Sequence, residues 1–287
     1  AGDLKGVLPG SPRPPAPPLA DLYEAARRAF PGARLGGGMF TFFTELNRKR
    51  PPAELLDFVH NVTCPNVHAA GDRSVMETHE VLPYQVTTAR SFIGKTPYRI
   101  GPSAIGCRDN PYGKGVTPNP NDERLSLVKA DPRQRGLFGA AWTLGYVASL
   151  GPTGVEAISF GATTGPMGIV QPAGGAVYPA YHVVAGLTRG AGAPLIAATS
   201  SNESRVRCLA YRAKGATLLW LANLGAHDQP VSVDHAGQGA FGIVLDEASF
   251  EQATTAPAAF QAAVKTIDTK HLVLRAYAVA LLCINDR

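Results

Sequence analysis

Hydrophobic and polar positions change period several times along this chain, and each change marks an element. Residues 19–30 place Leu22, Ala25, Ala26 and Ala29 at helical spacing with Arg27 and Arg28 outside, which predicts an amphipathic helix. Residues 33–43 read as a strand with a glycine-dense start, followed by a polar loop over 44–52 and a short helix over 53–56. The stretch 57–68 is extended and apolar. Ser74 opens a helix reaching to about residue 92, and 98–105 is the next strand. A long loop (106–131) leads into a helix over 133–150, a strand over 155–160 and a helix over 178–188.

Short apolar strands alternating with helices of about 10 to 18 residues predict parallel βαβ units, with helices covering one face of the sheet. About four units are present, whereas a closed barrel needs eight. The fold class is therefore α/β: a partial (β/α)8 TIM-type barrel of about four βα units, followed by an antiparallel β-sandwich. Four units alone expose two strand edges and half of an apolar lumen. The missing N-terminal half of the barrel is expected upstream in a longer parent chain or from a partner chain. Residues 1–18, rich in proline, read as a linker; 19–192 form the half-barrel and 193–287 the sandwich domain. In the last region 205–211, 217–223, 230–233 and 272–282 alternate or run apolar between turn residues, with no convincing helix among them.

Composition narrows the class. Across 287 residues, 45% are apolar and 17% charged, which is the make-up of a globular domain. The net charge of +5 comes from scattered Lys and Arg with no basic stripe, so no nucleic-acid partner is expected. No apolar run approaches the length of a membrane span, and no charged-then-apolar leader opens the chain. A cytoplasmic protein without a membrane partner is the expectation, although a chain beginning at Ala1 is compatible with loss of an upstream region. Cys64, Cys107, Cys208 and Cys283 form no CxxC pair and read as free thiols.

In a parallel barrel the chemistry sits where strands end and the following loops begin. After the first strand, Glu45, Asn47 and Arg48 bring a carboxylate, an amide and a guanidinium together, suited to a polyhydroxylated substrate and to acid–base work. After the second, His68 ends a strand, with Asp72 and Arg73 in its loop. After the third come Ser103, Arg108 and Tyr112; Arg108 suits a carboxylate or oxyanion, and Tyr112 suits a pocket wall. The glycine-rich GATTGPMG after the fourth lacks the features of a P-loop or dinucleotide fingerprint and reads as a rim. Ser74 and Glu77 match a capping box, and His79 within the helix reads as solvated. His68, Asp72 and His79 match no standard metal spacing, and no nucleophile elbow is present, so neither a metal nor another cofactor is expected.

Four long segments carry a resemblance: GGGMFTFFTELNRKRPP, TCPNVHAAGDRSVMET, PYRIGPSAIGCRDNPYG and DPRQRGLFGAAWTLGY. Over residues 34–187, and more loosely through the tail, the chain resembles the D-apionate lactonase family. The resemblance implies hydrolysis of D-apionolactone to D-apionate in apiose breakdown, on a glycosidase-like barrel with a C-terminal sandwich. It also implies a longer protein, of which this is the C-terminal half.

Retaining glycosidases need two carboxylates about 5 Å apart. Glu45 supplies one, but the strand RIGPSAIG ends in Ser103 and no acid. Lactone hydrolysis needs only a base for water and a donor for the tetrahedral oxyanion. Glu45 or His68 is the expected base, with Arg48 or Arg108 as donor, and Asn47, Asp72, Arg73, Ser103 and Tyr112 are expected to contact a small sugar lactone. The alternatives are a glycoside hydrolase of the retaining clan and a non-catalytic carbohydrate-binding or structural fragment.

Overall fold

A computed structural model gives the fold for residues 11–12, 15–172, 174–213, 215–234 and 239–285. Much of the proline-rich linker expected at 1–18 lies outside the described residues, and 15–18 run without regular structure into α1 (Leu19–Ala29). Strands β1 (Gly36–Phe42), β2 (Phe58–Val62), β3 (Tyr98–Ser103) and β4 (Ala157–Phe160) form one parallel sheet in chain order. The crossovers carry α2 (Phe43–Lys49), α3 (Asp72–Glu77), α4 (Leu82–Ile93), α5 (Leu137–Leu150) and, after β4, α6 (Ala180–Arg189).

The period-two alternation of the strands sorts the two faces of this sheet. Met39, Val59, Tyr98 and Ile100 are buried in the core shared with the helices. The alternate positions turn the other way: Phe40 is 68% exposed, and the rings of Phe40 and Phe58 flank His60 at centroid distances of 5.4 and 6.5 Å. Arg99 lies 4.0 Å over Phe58 and pairs with Glu156, as does Arg34. This is the concave face of an open half-barrel. Gly38 explains the glycine run at its first strand: with φ at 132°, a Cβ there would sit 2.0 Å from the His60 carbonyl oxygen, so β1 and β2 close only on glycine.

Several elements differ from expectation. The polar segment expected as a loop over 44–52 begins as α2, so Glu45, Asn47 and Arg48 stand on a helix. Strand β2 ends at Val62, leaving His68 six residues beyond it within a loop. The expected helix from Ser74 starts earlier, at Asp72, with Gly71 at its cap, and is divided by a 3-10 turn over Thr78–Val81. The capping box does not form; Glu77 instead pairs with Arg73 one turn away. His79 is not solvated but 1% exposed.

Helix α5 shows why the half-barrel and the following domain form one body. Every residue of it except Leu137 and Val147 is buried, because its apolar residues surround it rather than forming a stripe. The barrel sheet and helices take one side, and a six-stranded antiparallel sheet takes the other. That sheet runs in the order β10 (Lys265–Asp268), β9 (Gly239–Leu245), β12 (Val279–Asn285), β7 (Ala216–Asn223), β6 (Val206–Ala213), β5 (Leu195–Ile196). Leu209, Tyr211, Trp220, Ala222 and Val279 face α5, while Val206, Ala210, Leu219, Leu221, Ala280 and Leu282 build a second core. The second layer is an antiparallel pair of strands distant in sequence, β8 (Gln229–Val231) with β11 (Leu272–Leu274). Two short helices that the sequence did not reveal, α7 (Phe250–Thr255) and α8 (Pro257–Ala262), lie between β9 and β10. They dock on α6: His182 hydrogen-bonds to the Ala253 carbonyl at 2.8 Å and meets the Phe260 ring edge-on.

Candidate active site

The site is built where β1 passes directly into α2. The first turn of that helix carries Glu45, whose side chain is 1% exposed. Two donors converge on its Oε1: Nη1 of Arg48, one turn along α2, at 2.7 Å, and the phenol of Tyr112, from the loop after β3, at 2.8 Å. Arg48 is itself 38% exposed, so the ion pair has a buried anion and an accessible cation. Desolvation, followed by the hydrogen bond to Glu45, pushes the Tyr112 phenol up to about 12. A carboxylate so held has a fixed orientation.

Beside this group is a cavity of about 220 Å³ lined by Phe42, Val67, His68, Asn110, Pro111, Tyr112 and Leu127. His68 reaches it from an exposed position in the loop after β2. Leu127 holds a left-handed backbone with φ at 60°, kept there by its N–H to the Asn66 carbonyl at 2.9 Å and by the Thr117 N–H on its own carbonyl. A branched residue in that region is strained, and such strain persists only where the surroundings impose it.

Of the nine residues singled out from the sequence, His68 and Tyr112 line this cavity, and Glu45 and Arg48 join it through the Tyr112 phenol. The other five are placed elsewhere. Asn47 accepts from Arg50 at the end of α2. Ser103 is fully buried under the rim, in a mutual hydroxyl cluster with Thr63 (2.8 Å) and Tyr146 (2.9 Å), where burial drives the Tyr146 phenol up to about 12. Asp72 bridges Arg124 and Arg133. Arg73 stands in solvent against Glu77. Arg108 donates to the Gly161 carbonyl and so ties the loop after β3 to the one after β4. His68, Asp72 and His79 are not assembled, and among the described residues no three His, Cys, Asp or Glu side chains are grouped to hold a metal ion.

Sequence reasoning passed over the groups that hold the rim. Asp131, 1% exposed, pairs with Arg133 at 2.7 Å and accepts from Asn66 at 3.2 Å, while Arg133 also donates to the Ala70 carbonyl. These residues clamp the loop after β2 onto the loop after β3, which sets Val67 and His68 opposite Tyr112. The spacing of Asn66 from Asp131 gives no local signal of that contact. Chemically, the arrangement offers a phenol and an imidazole lining one small cavity, with a buried carboxylate and an accessible guanidinium behind the phenol.

Comparison with known proteins gives the following. The family profile described as "D-apionate lactonase, TIM barrel domain" matches residues 1–192, and that described as "D-apionate lactonase, C-terminal immunoglobulin-like domain" matches 203–282. The curated D-apionate lactonase of Brucella anthropi is 42% identical over 236 residues, covering 80% of this chain and 38% of its own length. The chain thus spans well under half of that relative. Among solved structures, a bifunctional glucanase–xylanase from a metagenome library superposes with a TM-score of 0.59 at 11% identity, covering 94% of this chain and 59% of that one. A GH30 endoxylanase from Clostridium papyrosolvens gives 0.56 at 10% identity, covering 93% and 60%. At such identities the likeness concerns fold alone. Among the described residues, no helix is long and apolar enough to cross a membrane.

Proposed function

This chain belongs to the D-apionate lactonase family, and on that premise we propose that it supplies one wall of a site that hydrolyses a sugar lactone, D-apionolactone by likeness to its relative. The opposite wall comes from further βα units upstream or from a partner chain. The open concave face of the sheet, with Phe40 68% exposed, and the 38% share of the relative's length support that reading.

The observation that carries the chemistry is the environment of Glu45: a guanidinium and a phenol share Oε1, and the phenol's residue lines the pocket. In the proposed reaction, Glu45 takes a proton from water as the water oxygen bonds to the lactone carbonyl carbon. Arg48, whose cation is accessible, stabilises the oxyanion that forms. The ring C–O bond then breaks, and the leaving oxygen takes the proton back from Glu45. Arg108 is less suited as the oxyanion donor, because its guanidinium already serves the Gly161 carbonyl. His68 lines the cavity and contacts substrate hydroxyls.

A retaining glycosidase is the competing reading; the glycosidase neighbours argue for a shared scaffold and nothing further. Glu45→Gln in the complete protein tests the proposal. Loss of a general base of this kind lowers lactone turnover by about 100-fold or more. Near-normal turnover removes Glu45 from the mechanism, and cleavage of aryl glycosides in place of the lactone transfers the site to the competing class.

A further inference from the structure

The C-terminal domain is unevenly layered. Six strands form one sheet, whereas β8 and β11 alone form the other. Sandwiches of the immunoglobulin type place roughly three or four strands in each layer. A cleft of about 950 Å³ lies over β6 and β7 of the larger sheet, beside β8. We infer that the cleft seats one further β-strand, supplied by the chain ahead of Ala1 in the longer protein and added to the free edge of β8.

The cleft has a floor and two walls. Its floor is the face of β6 and β7 that carries Val206, Cys208, Ala210, Leu219 and Leu221. These side chains build the second core or pack against it, so the cleft opens directly onto the apolar interior of the sandwich. In a two-layer fold such a face is normally covered by a facing strand. One wall is the segment 197–202 after β5, and the other is 229–234, which is β8 and the residues just past it.

The second wall is a strand edge. Six consecutive residues, 229 to 234, border the cleft, whereas a strand seen face-on would present only alternate ones. β8 pairs on one side alone, with β11, and the Val233 N–H carries that ladder on to the Thr269 carbonyl at 2.7 Å. By the alternation of an extended chain, Ser232 turns its amide and carbonyl the other way, towards the cleft, as Pro230 turns its carbonyl. Pro230 withholds one donor, so a new ladder rests on Ser232 and on the Pro230 carbonyl. An open edge of this kind is a template for strand addition.

The shape of the cleft selects the occupant. A trough between two walls admits an extended segment but not the broad face of a second folded copy. No aromatic side chain lines it, unlike the hydrophobic and aromatic enclosures that hold small molecules. β6 and β7, of eight residues each, are long enough to seat a strand of the usual five or six or so. The material for one exists, since the Brucella relative is matched over 38% of its length and carries most of its chain elsewhere. The seat shares with the proposed lactonase only that upstream chain; it is independent of the chemistry at Glu45, and the two fail separately.

The experiment places the photoreactive residue p-benzoylphenylalanine at Thr199, and separately at Ser232, one on each wall of the cleft, in the complete protein. After irradiation, peptide mapping is expected to show an intramolecular crosslink from both walls to one segment ahead of Ala1. Crosslinks confined to these 287 residues, or running to a second molecule, overturn the inference. Cys208 gives a second reading that needs no substitution, because it lies on the floor and is partly open to solvent. Its alkylation by N-ethylmaleimide under native conditions should be slower by about 10-fold or more in the complete protein than in the 287-residue chain. Cys283, on the opposite face of the sheet beside Leu218 and Phe241, is the internal reference. Equal rates at Cys208 in the two chains overturn the inference.

Discussion

Tyr112 donates its phenol hydrogen to Glu45 across 2.8 Å, although 67 positions of sequence separate them. The bond links the loop after one strand to the helix after another, and it places an acceptor-only carboxylate against a hydroxyl that burial keeps protonated. Both partners depend on it. Removing the donor takes one of the two hydrogen bonds described at Oε1 from Glu45, 1% exposed, and leaves that from Arg48.

Tyr112→Phe tests this contact. A hydrogen bond to a charged group contributes about 1.5–3 kcal/mol, so lactone turnover by the complete protein should fall by about 10- to 100-fold while the circular dichroism spectrum is retained. A complementary measurement uses phenolate absorbance. Because the Glu45 bond helps hold the Tyr112 phenol near 12, Glu45→Gln should bring its titration to lower pH. An unchanged titration would mean that desolvation alone sets it.

His79 should make stability fall in acid. Its ring is packed against Trp142 and Tyr146 at 5.8 and 6.4 Å, beside Gly145 and Leu224, and Arg207 from β6 adds a positive charge nearby. Burial first, then Arg207, lowers it from 6.5 to about 3. The unfolded chain binds a proton there at about 6.5 and the folded chain does not, so the contribution to stability is present above 6.5 and declines as pH falls towards 3. The slope is about 1.4 kcal/mol per pH unit. Between pH 7 and pH 5 the loss from this residue approaches about 2 kcal/mol. Urea denaturation at the two pH values measures it, and His79→Leu should flatten the difference. Burial also lowers His182, which adds a loss of the same sign.

Gly186 of α6 should not tolerate a methyl group. A Cβ there would stand 2.4 Å from the Trp220 ring, which is 3% exposed, and the Gly186 carbonyl accepts from the Tyr211 hydroxyl at 3.3 Å. Gly186→Ala therefore forces the six-stranded sheet away from the half-barrel. Overpacking of this kind costs about 1–3 kcal/mol. A denaturation midpoint equal to that of the parent would show that α6 and Trp220 part without penalty.

The barrel half was legible because burial on one side and closure on the other impose a local pattern. Strands β1 to β4 and helices α4, α5 and α6 fall close to where apolar runs and helical spacing put them. Helix α2 was not legible. Its sequence FTELNRK is polar and is followed by Pro51 and Pro52, and only seven residues are helical. Helices α7 and α8 are six residues each, too short for periodicity to register. His79 misled for another reason. The residues around it, Glu77 and Glu80, are those of a wet surface, and its burial depends on α5 and on Leu224 from the other domain.

The sequence by itself determined the class of the fold, the change from parallel to antiparallel architecture after α6, and the family, because each of these rests on local period or on long contiguous motifs. It also placed Glu45, His68 and Tyr112 near strand ends. Only the tertiary structure decided which of the candidates meet. Contacts such as Tyr112 with Glu45, Asn66 with Asp131 and Cys64 with the Ile105 carbonyl are set by how neighbouring strands align in the sheet. Alignment of this kind is a property of packing between distant segments, which no spacing within one segment records.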